Sequence, residues 1–273
     1  MANVEMLKEK AKEIRKLTLK TIGTLGIGHI GGSMSICDLL AVLYHEAMNV
    51  DASDPKKADR DRLVCSKGHG GPAVYAALAS RGFIPESQLE TLNTPNTHLP
   101  SHCDMNLTPG IDMTTGSLGQ GFSCAVGMAA AAKMDKNPCN VFAIVGDGEC
   151  QEGQIWEAAM FAGNNNLSNL IAFLDYNKMQ VDGYVNDIGD LYPLDKKWED
   201  FGWNVQVIDG HDVYAISRAI DYAKKEHHRP CMIIMNTIKG KGAYFCENDP
   251  SNHCRDVSEE EWKSAVKKLD EEE

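Results

Sequence analysis

The sequence predicts a doubly wound α/β fold, in which a mostly parallel sheet carries helices on both faces. Apolar runs of strand length, such as residues 141–145 and 170–174, alternate with helix-like segments such as 154–163. Such alternation favours βαβ units, whose strands are parallel. The chain has 273 residues and a hydrophobic content of 43%. This is enough for one large domain, and we predict a single domain over residues 1–273.

The amino-terminal elements follow from the spacing of apolar and small residues. Apolar side chains recur on one face of residues 4–25 among Lys and Glu, which predicts a helix. The glycine-rich residues 26–32 end this helix, and Ser33 or Ser35 is expected to cap the next one. A polar loop is expected over residues 51–61.

The other elements are read from apolar runs, helical periodicity and turn residues. Strands are predicted at residues 62–65, 141–145, 170–174, 204–208 and 231–236. Helices are predicted at residues 72–81, 85–93, 122–133, 154–163 and 213–225. Residues 94–117 are expected to be irregular, and so long a loop is usually functional. The acidic tail, about residues 258–273, is expected to form a short helix and a solvated end.

Composition excludes several classes of function. The net charge is −12 and no Lys/Arg cluster is present, so no nucleic-acid partner is expected. The charged amino terminus lacks a signal-peptide core, and no apolar run reaches the length of a membrane span. The nine cysteines form no CxxC pair, which is typical of reduced thiols in a cytoplasmic protein. Cys246, Cys254 and His253 have poor spacing for a zinc site.

Two polar residues follow neighbouring strands of the predicted sheet. Asp147 comes after the run at 141–145, and Asn177 comes after the run at 170–174. Parallel strands place their carboxyl ends at the same edge, where open α/β sheets bind ligands. A carboxylate and an amide oxygen form a hard-oxygen site with open positions. Mg²⁺ bound through the phosphates of a ligand requires such a site.

Four loops carry a histidine each, at His29, His69, His102 and His253. Taken singly, each histidine is more often structural, but loops at one edge of a sheet are where functional groups converge. The pair at residues 227–228 follows a Lys-rich helix end and is expected to be exposed, and the histidine at 211 fits a turn before a helix.

The motifs in this chain resemble those of the transketolase family. GDGECQEGQIWEAA begins at Gly146 and is followed by Asn177, a pattern similar to the thiamine diphosphate motif of that family. The segments GH at 28–29, KGH at 67–69, TGSLGQG at 115–121 and TIKGKG at 237–242 also match, in the same order. The resemblance extends from about residue 10 to residue 255 and covers the amino-terminal, diphosphate-binding part of the family.

The resemblance implies thiamine diphosphate and Mg²⁺ as cofactors. Asp147, Asn177 and the backbone carbonyl of Met179 would hold the metal, with diphosphate oxygens and a water completing the shell. For the diphosphate, the resemblance implies His69, Lys239, His253 and the amide of Gly148. The backbone of Gly116, Ser117 and Leu118 would approach the cofactor, and Glu152 would lie at an interface of the cofactor site.

The resemblance also implies a reaction. His29 and His102 would reach a sugar (phosphate) substrate, and with His69 and His253 they are the expected catalytic residues. A donor ketose loses a hydroxyl proton as its C2–C3 bond breaks, and a positioned imidazole suits that step. The family's GHP and final His-Gly are here Ser101-His102-Cys103 and His253-Cys254, so both loops depart from the pattern of the family.

The part of the family that binds the pyrimidine ring of the cofactor has no counterpart in this sequence. We therefore expect the amino-terminal subunit of a split transketolase, working with a carboxy-terminal subunit that carries the pyrimidine-binding domain, in an α₂β₂ assembly. Two alternatives are the alpha chain of the decarboxylating component of a 2-oxo acid dehydrogenase and a non-catalytic, partner-binding derivative. KGHG and TGSLGQG favour transketolase over the first, and the Asp147–Asn177 pair argues against the second.

Overall fold

A parallel sheet lies at the centre of the protein. The computed structural model describes residues 3–271, and among these five parallel strands form the sheet in the order β2-β3-β4-β8-β7. Its strands are β2 (Arg62–Cys65), β3 (Val141–Gly146), β4 (Leu170–Tyr176), β7 (Asn204–Asp209) and β8 (Cys231–Asn236). Two small antiparallel ribbons pair β1 (Ile27–Gly28) with β9 (Arg255–Asp256) and β5 (Met179–Gln180) with β6 (Gly183–Tyr184).

The helices connect these strands and cover the sheet. They are α1 (Val4–Leu25), α2 (Ile30–Met34), α3 (Cys37–Val42), α4 (Gly71–Arg81), α5 (Gln120–Met134), α6 (Gly153–Asn164), α7 (Val185–Gly189), α8 (Leu194–Asp200), α9 (Val213–Ala223) and α10 (Glu259–Glu271). Short 3₁₀ turns occupy Gly68–Gly70, Glu86–Thr91, Gly148–Gln151 and Pro250–Asn252, and a π-helical turn occupies Leu43–Ala47. Across residues 3–271, no helix combines the length and the apolarity that a membrane crossing requires.

The inner strands β3, β4 and β8 are buried on both faces, which explains why they are largely apolar. In β3, Phe142 and Ile144 point into a core shared with α1, α3, α4 and α9. Val141, Ala143 and Val145 point into a second core, shared with α5, α6 and α8. The predicted fold class is therefore confirmed, including the βαβ unit formed by β3, α6 and β4.

The register of the sheet aligns the strand tips that matter for function. Gly146 pairs with Asp175, and Tyr176 pairs with Asn236. Asp147, Asn177 and the residue after β8 therefore leave the sheet side by side at its carboxyl edge.

Two local predictions are wrong. Neither Ser33 nor Ser35 caps α3, because their hydroxyls donate elsewhere: Ser33 to the carbonyl of His29 at 2.8 Å and Ser35 to Asp175 at 2.7 Å. The helix predicted at 85–93 is only the 3₁₀ turn Glu86–Thr91. Its i→i+3 bonding, for example from the amide of residue 88 to the carbonyl of 85, supports one or two turns and no more.

The acidic tail is more ordered than its composition indicates. Its helix α10 buries Ala265 and Leu269, and Trp262 lies against α1. The contact is close, since a Cβ atom on Gly23 would lie 2.1 Å from the Trp262 ring. The last part of the predicted solvated end, residues 272–273, lies outside the described residues.

Candidate active site

Asp147 and Asn177 lie together at the carboxyl edge of the sheet. Both are buried, and both line one cavity of about 350 Å³ together with Met179. One carboxylate oxygen of Asp147 accepts the amide of Gly148 at 2.7 Å, and the other accepts the amide of Lys178. The side-chain oxygen of Asn177 accepts the amide of Met179 at 3.1 Å. These hydrogen bonds hold the oxygens in place in two turns that follow adjacent strands.

The electrostatics at Asp147 favour a bound cation. Burial, followed by the nearby charge of Asp175, raises the pKa of Asp147 to about 7, although two backbone amides oppose the shift. Among residues 3–271, no Lys or Arg side chain forms an ion pair with Asp147. A carboxylate, an amide oxygen and the Met179 carbonyl are hard donors, so the site fits Mg²⁺.

A zinc site is not supported. Within the described range 3–271, no set of three His, Cys, Asp or Glu side chains is arranged so that it could hold a metal ion. Cys246 is buried, whereas Cys254 is exposed.

The four histidines of the loop analysis form one cluster. His29 lies at its centre, with ring centroids 5.7 Å from His69, 5.3 Å from His102 and 5.4 Å from His253. His69 and His253 are 4.8 Å apart and also line the cavity beside Asp147. His29 and His102 adjoin the cavity through these contacts.

The cluster is electrically neutral near pH 7 because burial disfavours a charged imidazole. Burial lowers the pKa of His29, and the nearby His102 and Lys239 lower it further. Burial alone lowers the pKa of His102. Burial first, and then Lys67, hold the pKa of His69 well below its usual value. Burial and Lys239 lower the pKa of His253 to about 4. Neutral imidazoles are able to accept a proton from a substrate hydroxyl.

Lys239 brings a positive charge to the same cavity. Its ammonium group donates weakly to the carbonyls of Met179 and Gln180, at 3.5 and 3.4 Å, and lies 3.5 Å from His253 Nδ1. Burial lowers its pKa to about 8. Because these contacts are long, the ammonium retains capacity for an anionic ligand in the cavity.

Gly32 and Gly68 allow the loops to approach one another. A Cβ atom on Gly32 would lie 2.8 Å from the His69 ring, and one on Gly68 would lie 2.8 Å from the amide nitrogen of Gly116. His102 lies beside Gly116, 3.7 Å from an ideal Cβ position there. Larger residues at 32 or 68 would push the histidine cluster and the TGSLGQG loop apart.

The other predicted cofactor-binding residues lie at different depths. Leu118 and Gly148 line the cavity, but the Gly148 amide already donates to Asp147. Ser117 and Gly116 are exposed beside it. Glu152 is exposed before α6, does not line the cavity and makes no side-chain capping bond.

Sequence reasoning missed Glu149, which is buried and borders the cavity. Its carboxylate accepts the Ser66 hydroxyl at 2.5 Å and the amides of Gly119 and Gly146 at 2.9 and 3.0 Å. It thereby joins the TGSLGQG loop to the tip of β3. A carboxylate directly after GDG was the available signal.

A second omission is the ion pair between Lys67 and Asp175, at 2.6 Å, which is almost completely buried. Lys67 also donates to the Gly32 carbonyl at 2.6 Å. Its charge is therefore neutralised inside the protein, although its side chain borders the cavity.

The remaining histidines lie outside this cluster. His211 bridges Asp38, at 2.7 Å from Nδ1, and the amide of Ile238, at 2.9 Å from Nε2. It is more than a turn residue, since it ties α3 to the segment before Lys239. The pair at 227–228 is exposed, as predicted.

Comparison with known families matches this arrangement. The family model described as "Transketolase, thiamine diphosphate binding domain" covers residues 6–272. The chain belongs to the transketolase family. It is 59% identical over 266 residues to the 6-deoxy-6-sulfo-D-fructose transketolase subunit SqwG of Clostridium sp. (strain MSTE9), covering 97% of each chain. It is also 37% identical to an apulose-4-phosphate transketolase subunit of Phocaeicola vulgatus, covering 98% of this chain and 95% of the relative.

Solved transketolases share the fold. The transketolase of Campylobacter jejuni superposes with a TM-score of 0.92 at 31% identity, covering 98% of this chain but 43% of that one. The chain likewise spans 43% of human transketolase-like protein 2, at 35% identity. It therefore corresponds to less than half of these longer members of the family. The predicted family is confirmed, and its named relatives confirm the predicted enzyme class.

Proposed function

We propose that this chain is the amino-terminal subunit of a thiamine diphosphate- and Mg²⁺-dependent transketolase. It transfers a two-carbon ketol unit from a ketose or ketose phosphate to an aldose or aldose phosphate, together with a partner subunit. The observation that carries the proposal is one cavity of about 350 Å³ in which Asp147, Asn177, Lys239, His69 and His253 meet. Oxygen donors for a metal and cationic or hydrogen-bonding groups for a diphosphate are thereby adjacent.

In this proposal the strand tips hold the metal. Asp147, Asn177 and the carbonyl of Met179 are the protein ligands, and a diphosphate supplies further oxygens. Lys239, whose present contacts are long, would donate to the diphosphate, and the charge of that group would stabilise the ammonium form. Leu118 and the backbone around it border the cofactor.

The histidine cluster handles protons and the substrate. Bound thiamine diphosphate supplies the carbanion sink for ketose cleavage. His29 and His102 adjoin the cavity through their contacts within the histidine cluster, and they bind the sugar hydroxyls. Because their pKa values are lowered, these imidazoles are neutral at pH 7 and accept the proton of the donor hydroxyl as the C2–C3 bond breaks.

A partner chain completes the site. Val181 and Ile188 line the cavity and are 62% and 46% exposed. Apolar side chains at the mouth of a polar cavity are typical of a surface that another chain covers. Relatives of nearly the same length are named as subunits, which supports a partner that carries the pyrimidine-binding domain, in an α₂β₂ assembly. Glu152, exposed at this side, is assigned to that interface.

The relative SqwG suggests the first donor to test. Because the chain is 59% identical to SqwG over 97% of both chains, 6-deoxy-6-sulfo-D-fructose is the leading candidate. Apulose 4-phosphate and an ordinary ketose phosphate are the comparators. The neutral imidazoles of the histidine cluster bind the hydroxyls at the ketol end of each of these sugars.

Calorimetric titration tests the cofactor site. The chain is titrated with thiamine diphosphate with and without Mg²⁺, alone and with a partner chain that carries a pyrimidine-binding domain. Asp147→Ala is expected to abolish metal-dependent binding, because the only carboxylate of the proposed metal site is lost. Asp221→Ala, which removes an exposed carboxylate on α9, is the matched control and should bind like the parent. Equal affinity of parent and Asp147→Ala would remove the metal assignment.

Mixing tests the reaction. The chain by itself is expected to transfer no two-carbon unit, whereas the mixture with its partner should do so from one of the three donors. A 2-oxo acid decarboxylation assay runs beside it. Decarboxylation without ketol transfer, or full activity of the chain alone, would contradict the proposal.

A further inference from the structure

Asp175 collects hydrogen bonds from four parts of the protein. It is completely buried near the end of β4. One oxygen accepts hydrogen bonds from the ammonium of Lys67 at 2.6 Å, the hydroxyl of Ser35 at 2.7 Å and the side-chain NH₂ group of Asn177 at 2.8 Å. The other accepts from the hydroxyl of Thr237 at 2.5 Å. The donors come from the end of α2, the tip of β2, the tip of β4 and the tip of β8.

The charge of Asp175 is compensated within the protein. Lys67 is its ion-pair partner, and both side chains are almost fully inaccessible to solvent. Lys67 also donates a hydrogen bond to the carbonyl of Gly32. The pair carries no net charge as a whole, although its separate charges act on Asp147 and His69. An effect on a bound cation can also come from the geometry of its hydrogen bonds.

That geometry fixes the orientation of the Asn177 amide. An ionised carboxylate only accepts hydrogen bonds, so it faces the NH₂ group of Asn177 and excludes the oxygen from that side. The oxygen lies on the other side, where it accepts the amide of Met179 at 3.1 Å. A half-turn of the amide would set its oxygen against the carboxylate and its NH₂ group against the Met179 N–H.

We propose that Asp175 is a positioning residue that turns the side-chain oxygen of Asn177 toward the metal position beside Asp147. The inference rests on the proposed function, because it concerns the same metal site. The carboxylate is held in place by Lys67, Ser35 and Thr237. The position of the Asn177 oxygen therefore depends on the three segments that carry these residues.

Asp175→Asn is the primary test. The substitution keeps the size of the side chain, but an amide at 175 accepts either face of Asn177. Residues that orient a metal ligand contribute about 10- to 100-fold to metal affinity, so the Mg²⁺ dissociation constant should rise by about that factor. It is measured by Mg²⁺ titration of the full chain at fixed thiamine diphosphate, and with Mn²⁺ alone by electron paramagnetic resonance.

A double variant separates orientation from charge. Asp175→Asn leaves Lys67 unpaired near the metal, which by itself repels a cation. Lys67→Met/Asp175→Leu removes both charges, and an apolar pair of similar volume is often tolerated in place of a buried ion pair. If orientation is the cause, Mg²⁺ affinity stays low in the double variant. Parental affinity in the double variant would assign the effect to charge and overturn the inference.

A matched control excludes a general loss of structure. Arg60→Met/Asp112→Leu removes another buried ion pair, near the opposite end of β2. It should alter thermal stability while leaving Mg²⁺ affinity at the parental value. If the double variant at 67 and 175 does not fold, the single Asp175→Asn variant and the control decide: parental Mg²⁺ affinity in that variant overturns the inference.

The outcomes also separate the inference from the proposed function. If the parent and the control show metal-dependent thiamine diphosphate binding and the Asp175 variants do too, with unchanged affinity, only the positioning role fails. If the parent itself shows no such binding, the metal site fails and the inference fails with it.

Discussion

Acidification is expected to destabilise the folded chain through His253. Burial beside Lys239 lowers the pKa of this imidazole to about 4 from an ordinary value of 6.5. The unfolded chain therefore binds a proton more readily than the folded chain. The stability that depends on the neutral form is fully present above about pH 6.5, and it is lost as the pH falls from there toward 4.

The magnitude follows from proton linkage. Between about pH 7.5 and pH 5, a group with these two pKa values costs the folded state about 2 kcal/mol. His253 is only partly buried, so solvent screening reduces this figure, and we expect about 1 kcal/mol.

Urea unfolding, followed by tryptophan fluorescence at both pH values, measures the effect. The parent should lose about 1 kcal/mol more of its unfolding free energy than His253→Asn, which does not titrate. His228→Asn removes an exposed histidine and should follow the parent. Identical losses in the parent and in His253→Asn would show that this imidazole is not the source of the pH dependence and would refute the reasoning.

Three further substitutions test the packing around the site. Gly32→Ala places a methyl group 2.8 Å from the His69 ring, and we expect a loss of about 1–3 kcal/mol in urea unfolding together with weaker thiamine diphosphate binding by calorimetry. Gly127→Ala, in an open position of helix α5, should instead stabilise by about 0.5–1 kcal/mol, and a loss there would contradict the described space. Asp38→Ala leaves Arg15 buried without its partner and should cost about 3–5 kcal/mol in the same assay; a cost below about 1 kcal/mol would argue that the pair is solvated.

Some expectations from the sequence stay predictions. These are the single domain over residues 1–273, the cytoplasmic location, and the individual roles of Glu152, Met179 and the four clustered histidines. The structure brings most of these groups together, but their roles depend on ligands and a partner.

The sequence by itself determined the fold class and the position of the site. Apolar runs that are buried on both faces carry a strong signal, so β2 and β8 were predicted with the observed bounds. The tips of parallel strands share one edge, and this rule alone places Asp147 and Asn177 side by side. Local pattern was sufficient for these two residues because they follow the neighbouring strands β3 and β4.

Only the tertiary structure decided which polar side chains hold that edge together. Ser35 follows a glycine-rich segment and was expected to cap a helix, yet it donates to Asp175, 140 residues away along the chain. Lys67 belongs to a motif that borders the cavity, yet its charge is neutralised by the same carboxylate, 108 residues away. A buried polar group must find a hydrogen-bond partner, but the identity of that partner depends on which segments the fold brings within about 3 Å, and no local pattern specifies this.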